Sequence, residues 1–493
     1  MDKNQIIELT VEDMLDDGRA FGRYEGCAVF VSGGCALPDG SGAAGAVPGD
    51  RIRARVLKSK KSSAEAALEE ILAPSADRTL AECPYAGKCG GCSMQELSYD
   101  AQLRLKREQV RAKLIRLGGL TDPQVNDIIG ADNLRYYRNK AVFAVGPHGE
   151  VGFVKGKSHF VIDIDDCMLQ SDPAMVCADA LRAFLRSNRN TGITQLTVRT
   201  AFGTGEVMAV LESEKKEIPG IETLVEMFDD AVYSLSNDPD EQGGTQEQFY
   251  TLESVAAIHR GKCRIIAGKP TITEEVTSDN GSTLSFEISP QSFYQVNPEQ
   301  MIRLYDKAAE YADLKGGETV LDLYCGAGTI GIWLLDQLRN TAPDAFDNTH
   351  VIGIESVKPA VLDANRNSVI NGLINTRYIC GKAEEELPGM MGLAKLYKWN
   401  EVNERVEREP EIRVAKVDVA VLDPPRAGCD EALLNAVVTA EPERIVYVSC
   451  DPGTLARDIK YLTDKGYEFI ECTPVDQFPW TTHCEVTTLL KRL

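Results

Sequence analysis

The stretch that decides the fold reads V-L-D-L-Y-C-G-A-G-T-I-G and covers residues 320–331. Its first half is typical of a buried strand, and its glycines precede a new helical pattern. Glycines directly after a strand let the backbone approach a ligand closely and open the following helix. The spacing G-x-G-x-x-G is typical of a dinucleotide site. The cysteine before the first glycine and Asp322 within the strand fit an adenosyl site without a pyrophosphate equally well.

The next predicted strand, residues 351–355, ends in G-I-E. An acidic residue at this position can accept hydrogen bonds from ribose hydroxyls, which is the role we expect for Glu355. A glycine loop alone is a weak signal. Together with Glu355 it favours a nucleoside site over a plain structural turn.

Strands and helices alternate from about residue 286 to the end of the chain. This alternation implies an α/β fold with a doubly wound, mostly parallel sheet. A charged insertion at residues 387–416 is expected to be a surface excursion. The predicted strands are 319–324, 351–355, 417–422 and 445–448, and the predicted helices are 298–312, 329–338, 359–371, 431–439 and 454–465.

A rigid turn follows the third of these strands, where residues 421–426 read V-L-D-P-P-R. The two prolines fix the backbone and remove amide donors. Such a turn, carrying the carboxylate of Asp423 and the guanidinium of Arg426, can bind a planar base. Taken alone, the pattern fits a plain strand-ending turn equally well.

The strand at 445–448 runs into S-C-D-P-G-T-L-A-R-D, which places Cys450 at its carboxyl end. Folds of this class bind their ligands at that edge of the sheet, and a helix N-terminus favours thiolate. Cys450 is therefore the candidate nucleophile, although an isolated cysteine here is more often a small buried apolar residue. Near the end of the chain stands F-P-W-T-T-H-C-E-V, whose Glu485 could act as a general base or could be an exposed strand-end residue.

The first 285 residues lack the regular alternation of strands and helices that follows residue 286. Residues 1–62 alternate in period two, with predicted strands at 5–11, 28–31 and 50–56 and predicted turns at 18–26 and 38–49, which indicates a small β-barrel. Residues 75–285 form a second region that begins with a helix at 98–117, which could pack on the C-terminal domain. Strands 140–145, 194–200 and 207–211 and a helix at 174–187 follow, and residues 213–250 give little signal.

Three cysteines lie close together in a glycine-rich loop, with the spacing C-x5-C-x2-C. They are Cys83, Cys89 and Cys92, and Cys167 is the candidate for a fourth ligand over Cys177 and Cys263. Four thiolates bind either structural zinc or an iron–sulfur cluster. Zinc ribbons usually show two C-x2-C units, so the spacing favours a [4Fe–4S] cluster over zinc.

The composition is that of a globular protein, with 493 residues, 43% hydrophobic and 26% charged. There is no apolar run of 18 residues and no apolar leader, so we expect a cytoplasmic protein without a membrane partner. The net charge of −22 does not by itself indicate a nucleic-acid binder. Two runs, 51–61 and 104–116, are basic, and such runs are more often solvated faces than binding sites.

Taken together, these motifs resemble the RNA (uracil-5-)-methyltransferases, specifically the iron–sulfur branch that methylates 23S ribosomal RNA. The resemblance covers nearly the whole chain and includes S-P-Q-S-F-Y-Q-V-N at residues 289–297. It implies a TRAM-like barrel for RNA at 1–62, a central α+β iron–sulfur domain at 75–285 and a Rossmann-like class I methyltransferase domain at 286–493. It also implies a monomer, and it assigns S-adenosylmethionine to Gln295, Tyr324, Glu355 and Asp423, the cluster to the four cysteines, the nucleophile to Cys450 and the base to Glu485.

This chain departs from the family pattern at Thr329, at Lys382 and in the length of the insertion at 387–416. None of these positions is the nucleophile or the base. Three alternatives remain: methylation of uridine 54 in transfer RNA, RNA cytosine-5-methylation, and an RNA-binding iron–sulfur module without activity. The D-P-P-R turn and the single candidate nucleophile argue against the second, and the presence of both Cys450 and Glu485 argues against the third.

Overall fold

A closed five-stranded barrel occupies the start of the chain, in the strand order β1-β2-β3-β7-β6. The computed structural model describes residues 1–36, 43–156, 158–235, 249–278, 280–399 and 405–493. Alternate residues of the first strand, among them Ile7, Leu9 and Val11, are buried inside the barrel. The strands of this region are β1 (Ile6–Met14), β2 (Ala20–Tyr24), β3 (Cys27–Ser32), β4 (Cys35–Ala36), β5 (Ala43–Ala44), β6 (Arg51–Ser59) and β7 (Ser63–Ala73).

The observed barrel differs from the sequence prediction in two places. Strand β2 lies within 18–26, which the sequence predicted as a turn. The flanking glycines favoured a turn, whereas the residues between them form a short strand with alternating burial. Strand β7 closes the barrel through residue 73, beyond the predicted boundary at 62. Part of the predicted turn at 38–49 lies outside the described residues.

A seven-stranded sheet in the order β10-β9-β8-β11-β12-β13-β14 forms the central region. Its helices pack on the sheet through Leu181, Phe184 and Phe228, which share one core with Phe143. Helix α3 lies in the stretch 213–250, which gave little sequence signal, and residues 236–248 of this stretch are outside the described residues. The elements are α1 (Tyr99–Arg116), β8 (Lys140–Val145), β9 (Val151–Val154), β10 (Val161–Asp163), α2 (Asp172–Ser187), β11 (Ile193–Thr200), β12 (Glu206–Ser213), α3 (Ile221–Leu235), β13 (Thr251–His259) and β14 (Lys262–Gly268).

Helix α1 packs against the C-terminal domain, since Val110 and Leu114 lie in the same core as the last sheet. An antiparallel hairpin of β15 (Ile272–Thr277) and β16 (Thr283–Ile288) then leads into that domain. The sequence analysis did not predict this hairpin. Among the described residues, no helix has the length and apolar composition that crossing a bilayer requires.

The C-terminal domain is built on a seven-stranded sheet in the order β19-β18-β17-β22-β23-β25-β24. Its strands are parallel except β25, which is antiparallel to both neighbours. Residues of β22 are buried on both faces, as expected for a central parallel strand. The elements are α4 (Pro298–Ala312), β17 (Thr319–Leu323), α5 (Thr329–Thr341), α6 (Pro343–Phe346), β18 (His350–Glu355), α7 (Lys358–Ile370), β19 (Thr376–Cys380), α8 (Ala383–Met390), β20 (Leu396–Trp399), β21 (Arg405–Arg408), β22 (Val419–Leu422), α9 (Glu431–Ala440), β23 (Arg444–Ser449), α10 (Pro452–Thr463), β24 (Tyr467–Val475) and β25 (Glu485–Arg492).

The insertion at 387–416 is only partly a surface excursion. It carries the two-stranded pair of β20 and β21, which lies apart from the main sheet. However, Leu387 and Met390 belong to α8 and are buried in the core of the domain. The excursion therefore begins after α8.

Candidate active site

The glycine turn after β17 is held in an unusual backbone conformation. Tyr324 has a φ of 63°, and its N–H donates to the carbonyl oxygen of Ile354 at 3.0 Å. Gly328 has a φ of 77°, and a Cβ atom there would lie 2.7 Å from the ring of Tyr378. Only glycine satisfies both the left-handed backbone and this close approach. The turn therefore presents its backbone closely to whatever binds at the end of β17.

Glu355 ends β18 beside this turn. Its Oε2 accepts the N–H of Gly326 at 3.2 Å, and its Oε1 accepts the N–H of Val357 at 2.7 Å and the hydroxyl of Ser356 at 3.1 Å. These bonds fix the carboxylate at the strand end. A carboxylate has about four acceptor sites, so lone pairs remain for ligand hydroxyls.

Two further carboxylates lie near the ends of neighbouring strands, Asp322 within β17 and Asp423 directly after β22. Burial raises the pKa of Asp322 to about 7 and that of Asp423 to about 7, and each of these effects is increased by another carboxylate nearby. One oxygen of Asp322 accepts the N–H of Gly331 at 3.0 Å. The other, Oδ1, is buried without a hydrogen-bond partner in the described structure, which marks a place where a bound polar group would be stabilised.

Cys450 and Glu485 lie next to each other at the carboxyl edge of the sheet. Ser449 pairs with Val486 across β23 and β25, so the residue after Ser449 faces the residue before Val486. Burial, together with the charges of Glu485 and Asp423, raises the pKa of the Cys450 thiol to about 12. Glu485 is buried, and its Oε2 has no hydrogen-bond partner within the described part of the chain.

Arg426 provides the positive charge of this cluster. Burial and Asp423 raise the pKa of Glu485 well above its ordinary value, and Arg426 acts in the opposite direction. Arg426 also lowers the pKa of the Cys450 thiol, through its charge and a side-chain hydrogen bond. The same guanidinium therefore favours the charged forms of both groups.

The loop that carries Arg426 is fastened to α10 by a buried carboxylate. Asp458 accepts the N–H of Cys429 at 2.8 Å and the hydroxyl of Tyr447 at 2.6 Å. Thr454, also on α10, donates its hydroxyl to the carbonyl oxygen of Arg426 at 3.2 Å. The sequence analysis gave Asp458 no role, because Cys429 and Tyr447 come from two other segments that only the fold brings to it.

Gln295 lies at the junction between the central region and the segment before β25. Its backbone carbonyl accepts a hydrogen bond from Asn139 at 2.9 Å, and its side-chain Oε1 faces the amide nitrogen of Gln477 at 3.5 Å. The side chain is buried. These contacts do not test cofactor binding, so that role of Gln295 stays a prediction.

The four cysteines predicted as cluster ligands line one cavity of about 350 Å³. Burial raises the pKa of the Cys92 thiol to about 12, and the other three cysteines add to this effect because they are close. Among the described residues, no three His, Cys, Asp or Glu side chains are arranged tightly enough to hold a single metal ion. Gln95, which accepts the N–H of Cys83 at 3.2 Å, and Arg138 also line the cavity.

Comparison with known proteins identifies the family. The model of the tRNA (Uracil-5-)-methyltransferase family matches residues 243–493. An uncharacterised RNA methyltransferase of Halalkalibacterium halodurans is 36% identical over 503 residues, which cover 100% of this chain and 98% of that protein. Another, of Caldanaerobacter subterraneus, is 37% identical over 498 residues, with 99% and 98% covered. The chain belongs to the RNA (uracil-5-)-methyltransferase family.

A solved structure supports the fold of this methyltransferase. The Pyrococcus abyssi tRNA (uracil-54, C5)-methyltransferase in complex with S-adenosyl-L-homocysteine superposes with a TM-score of 0.66. The two chains are 24% identical, and the match covers 98% of this chain and 100% of the other. The α/β methyltransferase fold expected from the sequence is confirmed, and the enzyme is an S-adenosylmethionine-dependent RNA methyltransferase.

Acceptor atoms remain available beside the glycine turn. The fixed carboxylate of Glu355 retains free lone pairs, and Asp322, which accepts the N–H of Gly331 at the start of α5, has an Oδ1 without a hydrogen-bond partner among the described residues. Thr329, one of the departures from the family pattern, is held by a 2.9 Å hydrogen bond to the hydroxyl of Tyr305. It therefore has a structural role at the start of α5.

Most cations of the two basic runs of the methyltransferase form ion pairs with carboxylates of the same chain. On α1, the cations at 104, 106, 107, 111 and 113 all form ion pairs with carboxylates, and Lys106 is fully buried. In the barrel, Arg51, Arg53 and Arg55 pair with glutamates of neighbouring strands. The sequence interpretation of the run on α1 as a solvated face was therefore wrong for Lys106, which is buried against Asp476, a partner 370 residues away.

Proposed function

We propose that the enzyme methylates C5 of a uridine in 23S ribosomal RNA through a covalent bond between Cys450 and C6. The observation that carries this proposal is the register of β23 and β25, which places a thiol and a buried carboxylate side by side. A thiol alone could be structural. A thiol, a base and the counter-charge of Arg426 at the carboxyl edge of a methyltransferase sheet form a set that this reaction requires.

The first step belongs to Cys450. Its thiolate adds to C6 of the uracil, and the C5–C6 double bond shifts its electrons toward C5 and the O4 carbonyl. C5 is thereby made nucleophilic. Because the thiol pKa is about 12 before substrate binds, the positive charge of Arg426 is needed to favour the thiolate. S-adenosylmethionine, when bound, supplies the electrophilic methyl group that C5 takes.

The last step belongs to Glu485. Its carboxylate removes the proton from the methylated C5, and the electrons of that C–H bond form the C5–C6 double bond again. The bond between C6 and sulfur breaks, and Cys450 leaves as a thiolate. The raised pKa of Glu485 makes its ionised form a stronger base than an exposed glutamate.

The target uridine must leave its stacked position before Cys450 can reach C6, which costs a few kcal/mol and least in a loop. The barrel offers a surface for neighbouring bases. The rings of Phe21 and Phe30 pair across β2 and β3 at 5.7 Å, with Arg23 over one ring and Arg19 over the other. Partly exposed aromatic and arginine side chains in this arrangement can stack on unpaired bases. They supply an RNA contact in spite of the net charge of −22.

The cysteine cavity supports a [4Fe–4S] cluster held by Cys83, Cys89, Cys92 and Cys167. These four cysteines line one cavity of about 350 Å³ together with other residues, and four thiols around one cavity are the ligand set of such a cluster. The side chains of Arg138 and Lys140 also line the cavity and would balance the negative charge of a thiolate-ligated cluster. Its proposed role is structural, since the methyl transfer needs no electron transfer.

Transfer RNA is the second candidate substrate. The matching family model and the Pyrococcus abyssi enzyme both carry transfer RNA in their names. The cysteine set and the barrel are the features that favour ribosomal RNA. Both substrates use the same chemistry at Cys450 and Glu485.

RNA containing 5-fluorouridine tests the mechanism. Fluorine at C5 cannot be removed as a proton, so methylated RNA should remain covalently bound to the enzyme. We expect a denaturation-resistant complex that peptide mapping places on Cys450, and none with Cys450→Ala. A complex through another cysteine, such as Cys429 or Cys484, would contradict the assignment.

A further inference from the structure

The nine residues 476–484 lead directly into Glu485, and we call them the base segment. They connect β24 to β25 without regular secondary structure. Glu485 itself has a carboxylate oxygen without a hydrogen-bond partner in the described chain, so no bond to that oxygen holds it in place. Its backbone pairs with Val475 of β24 at the very start of β25, so its placement also depends on what fixes the base segment that leads into it.

A buried ion pair anchors the start of the base segment to α1. Lys106 donates to Asp476 at 2.5 Å and to the carbonyl oxygen of Phe478 at 3.1 Å, and both charged side chains are 0% exposed. Tyr99, two turns earlier on α1, donates its hydroxyl to the other oxygen of Asp476 at 2.9 Å. That hydroxyl also accepts the N–H of Ala131 at 2.7 Å, so the pair belongs to a closed network.

Trp480, in the middle of the base segment, has a strained backbone and donates two hydrogen bonds to other parts of the chain. Trp480 has a φ of 69°, a backbone conformation that a residue with a bulky side chain rarely adopts. Its N–H donates to Gln102 of α1 at 3.1 Å, and its indole N–H donates to the carbonyl oxygen of Leu134 at 2.8 Å. Such a conformation persists only where the surroundings determine it.

The same tryptophan connects the base segment to the cysteine loop. Its carbonyl oxygen accepts the N–H of Ser93 at 3.0 Å and that of Met94 at 3.1 Å. These two residues directly follow Cys92. The base segment is therefore tied at once to α1, to the loop that carries three of the cysteines and, through Thr482, to the carbonyl oxygen of Asp16 beside the barrel.

We infer that Lys106 and Tyr99 are positioning residues that hold Glu485 against the methylated uridine through the base segment. This inference rests on the proposed function. It assigns α1 a role in the final proton removal and not in the attack by Cys450, because Cys450 is held by β23 and α10 instead. Loosening the ion pair should therefore slow the release of methylated RNA more than the formation of the covalent bond.

The test compares Tyr99→Phe, Lys106→Met and Glu485→Gln in single-turnover and multiple-turnover reactions with unmodified uridine-containing RNA and S-adenosylmethionine. Two quantities are measured: methyl transfer to RNA, and the fraction of enzyme in a denaturation-resistant RNA complex. We expect both α1 variants to lower multiple turnover at least tenfold and to raise the trapped fraction, in the direction of Glu485→Gln. Tyr99→Phe removes only one hydroxyl, so it keeps the test decisive if Lys106→Met does not fold.

Arg78→Met is the matched control, since Arg78 and Asp50 form another buried ion pair, whose side-chain hydrogen bonds in the described structure reach Gly45, Val47 and Ser75 and not the base segment. It should leave the trapped fraction at the wild-type level. If Glu485→Gln traps RNA but Tyr99→Phe and any folded Lys106→Met protein do not, the positioning inference is wrong and the proposed function stands. If Glu485→Gln traps no RNA, the proposed role of Glu485 is itself wrong.

Discussion

Cys450 and Glu485 face each other across β23 and β25, at the point where Ser449 pairs with Val486. β25 is the one antiparallel strand of the methyltransferase sheet in the described structure, so its first residue lies beside the carboxyl end of β23. The reversal of this strand brings together two residues that are 35 positions apart. It also explains why Glu485 is buried although it begins a strand.

Replacing Glu485 by Gln should separate methyl transfer from product release. The amide keeps the shape of the side chain but cannot accept the C5 proton, so methylated RNA should accumulate on Cys450. Multiple turnover should fall by about 10²-fold or more, the range for loss of a general base. Gel electrophoresis under denaturing conditions measures the complex. Glu468→Gln, on the exposed end of β24, is the control, and normal turnover by Glu485→Gln would contradict the assignment.

Replacing Arg426 by Gln should lower activity and change its pH dependence. Arg426 lowers the pKa of the Cys450 thiol, which is nevertheless about 12, so the pKa should rise further without it. The thiolate is the reactive form, and kcat/KM of the wild type should therefore increase with pH through the neutral range. As the pH falls, Glu485, whose pKa is raised, also becomes protonated, and the loss of its ionised form lowers the rate further.

In Arg426→Gln, kcat/KM should be about 10²-fold lower at neutral pH, the magnitude typical for loss of one electrostatic partner. Its rise with pH should continue to more alkaline values than in the wild type. A pH–rate profile of the two proteins measures this. A variant with the wild-type profile and rate would show that Arg426 does not act on the thiol.

Removing the Glu355 carboxylate should weaken binding of the methyl donor. Hydrogen bonds to charged groups contribute about 1.5–3 kcal/mol each, so Glu355→Ala should raise the Kd for S-adenosylmethionine about 10- to 100-fold. Isothermal titration calorimetry gives this value without RNA. Glu468→Ala serves as the control, and unchanged affinity in Glu355→Ala would place the ribose elsewhere.

Cys89→Ser should remove the brown colour of the purified protein and most of its iron. The exposed Cys380 lies outside the cavity, so Cys380→Ser should keep both. Absorbance near the thiolate-to-iron charge-transfer bands and metal analysis provide the measurement. A colourless native protein with zinc in the site would contradict the proposed cluster.

Phe21→Ala and Phe30→Ala should weaken RNA binding without altering affinity for S-adenosylmethionine. Stacking on a base is worth about 1–3 kcal/mol, so each change should raise the Kd for RNA about 5- to 150-fold. Fluorescence anisotropy with a labelled RNA fragment measures it. Phe249, which is 67% exposed and lies outside the barrel, provides the control substitution.

Local signals explain why much of the C-terminal domain could be predicted. Helix α4 begins and ends where the sequence placed it, because the side chain of Asn297 caps its first turn, Pro298 fits the first helical position and Asp313 adopts a left-handed conformation after it. The strands around Asp322 and Asp423 are apolar runs bounded by glycine or proline. These features can be recognised from the local sequence, without information on residues far away in the chain.

Tertiary partners explain what the sequence did not predict. The hairpin of β15 and β16 carries two adjacent glutamates, and Glu274 is buried because it accepts the N–H groups of Phe202 and Gly203. Lys106 looked like one cation of a basic helix, but Asp476 and Phe478 hold it in the interior. Neither burial is visible in a local window, since each depends on groups that only the fold brings near.

The most direct test of the central claim is mass spectrometry of ribosomal and transfer RNA from cells with and without this protein, and from cells producing only Cys450→Ala. We expect 5-methyluridine at a position of 23S ribosomal RNA only when the wild-type protein is present. Loss of the mark from transfer RNA alone would keep the chemistry and change the substrate. An unchanged level of 5-methyluridine in every RNA, with 5-methylcytidine missing instead, would contradict the account.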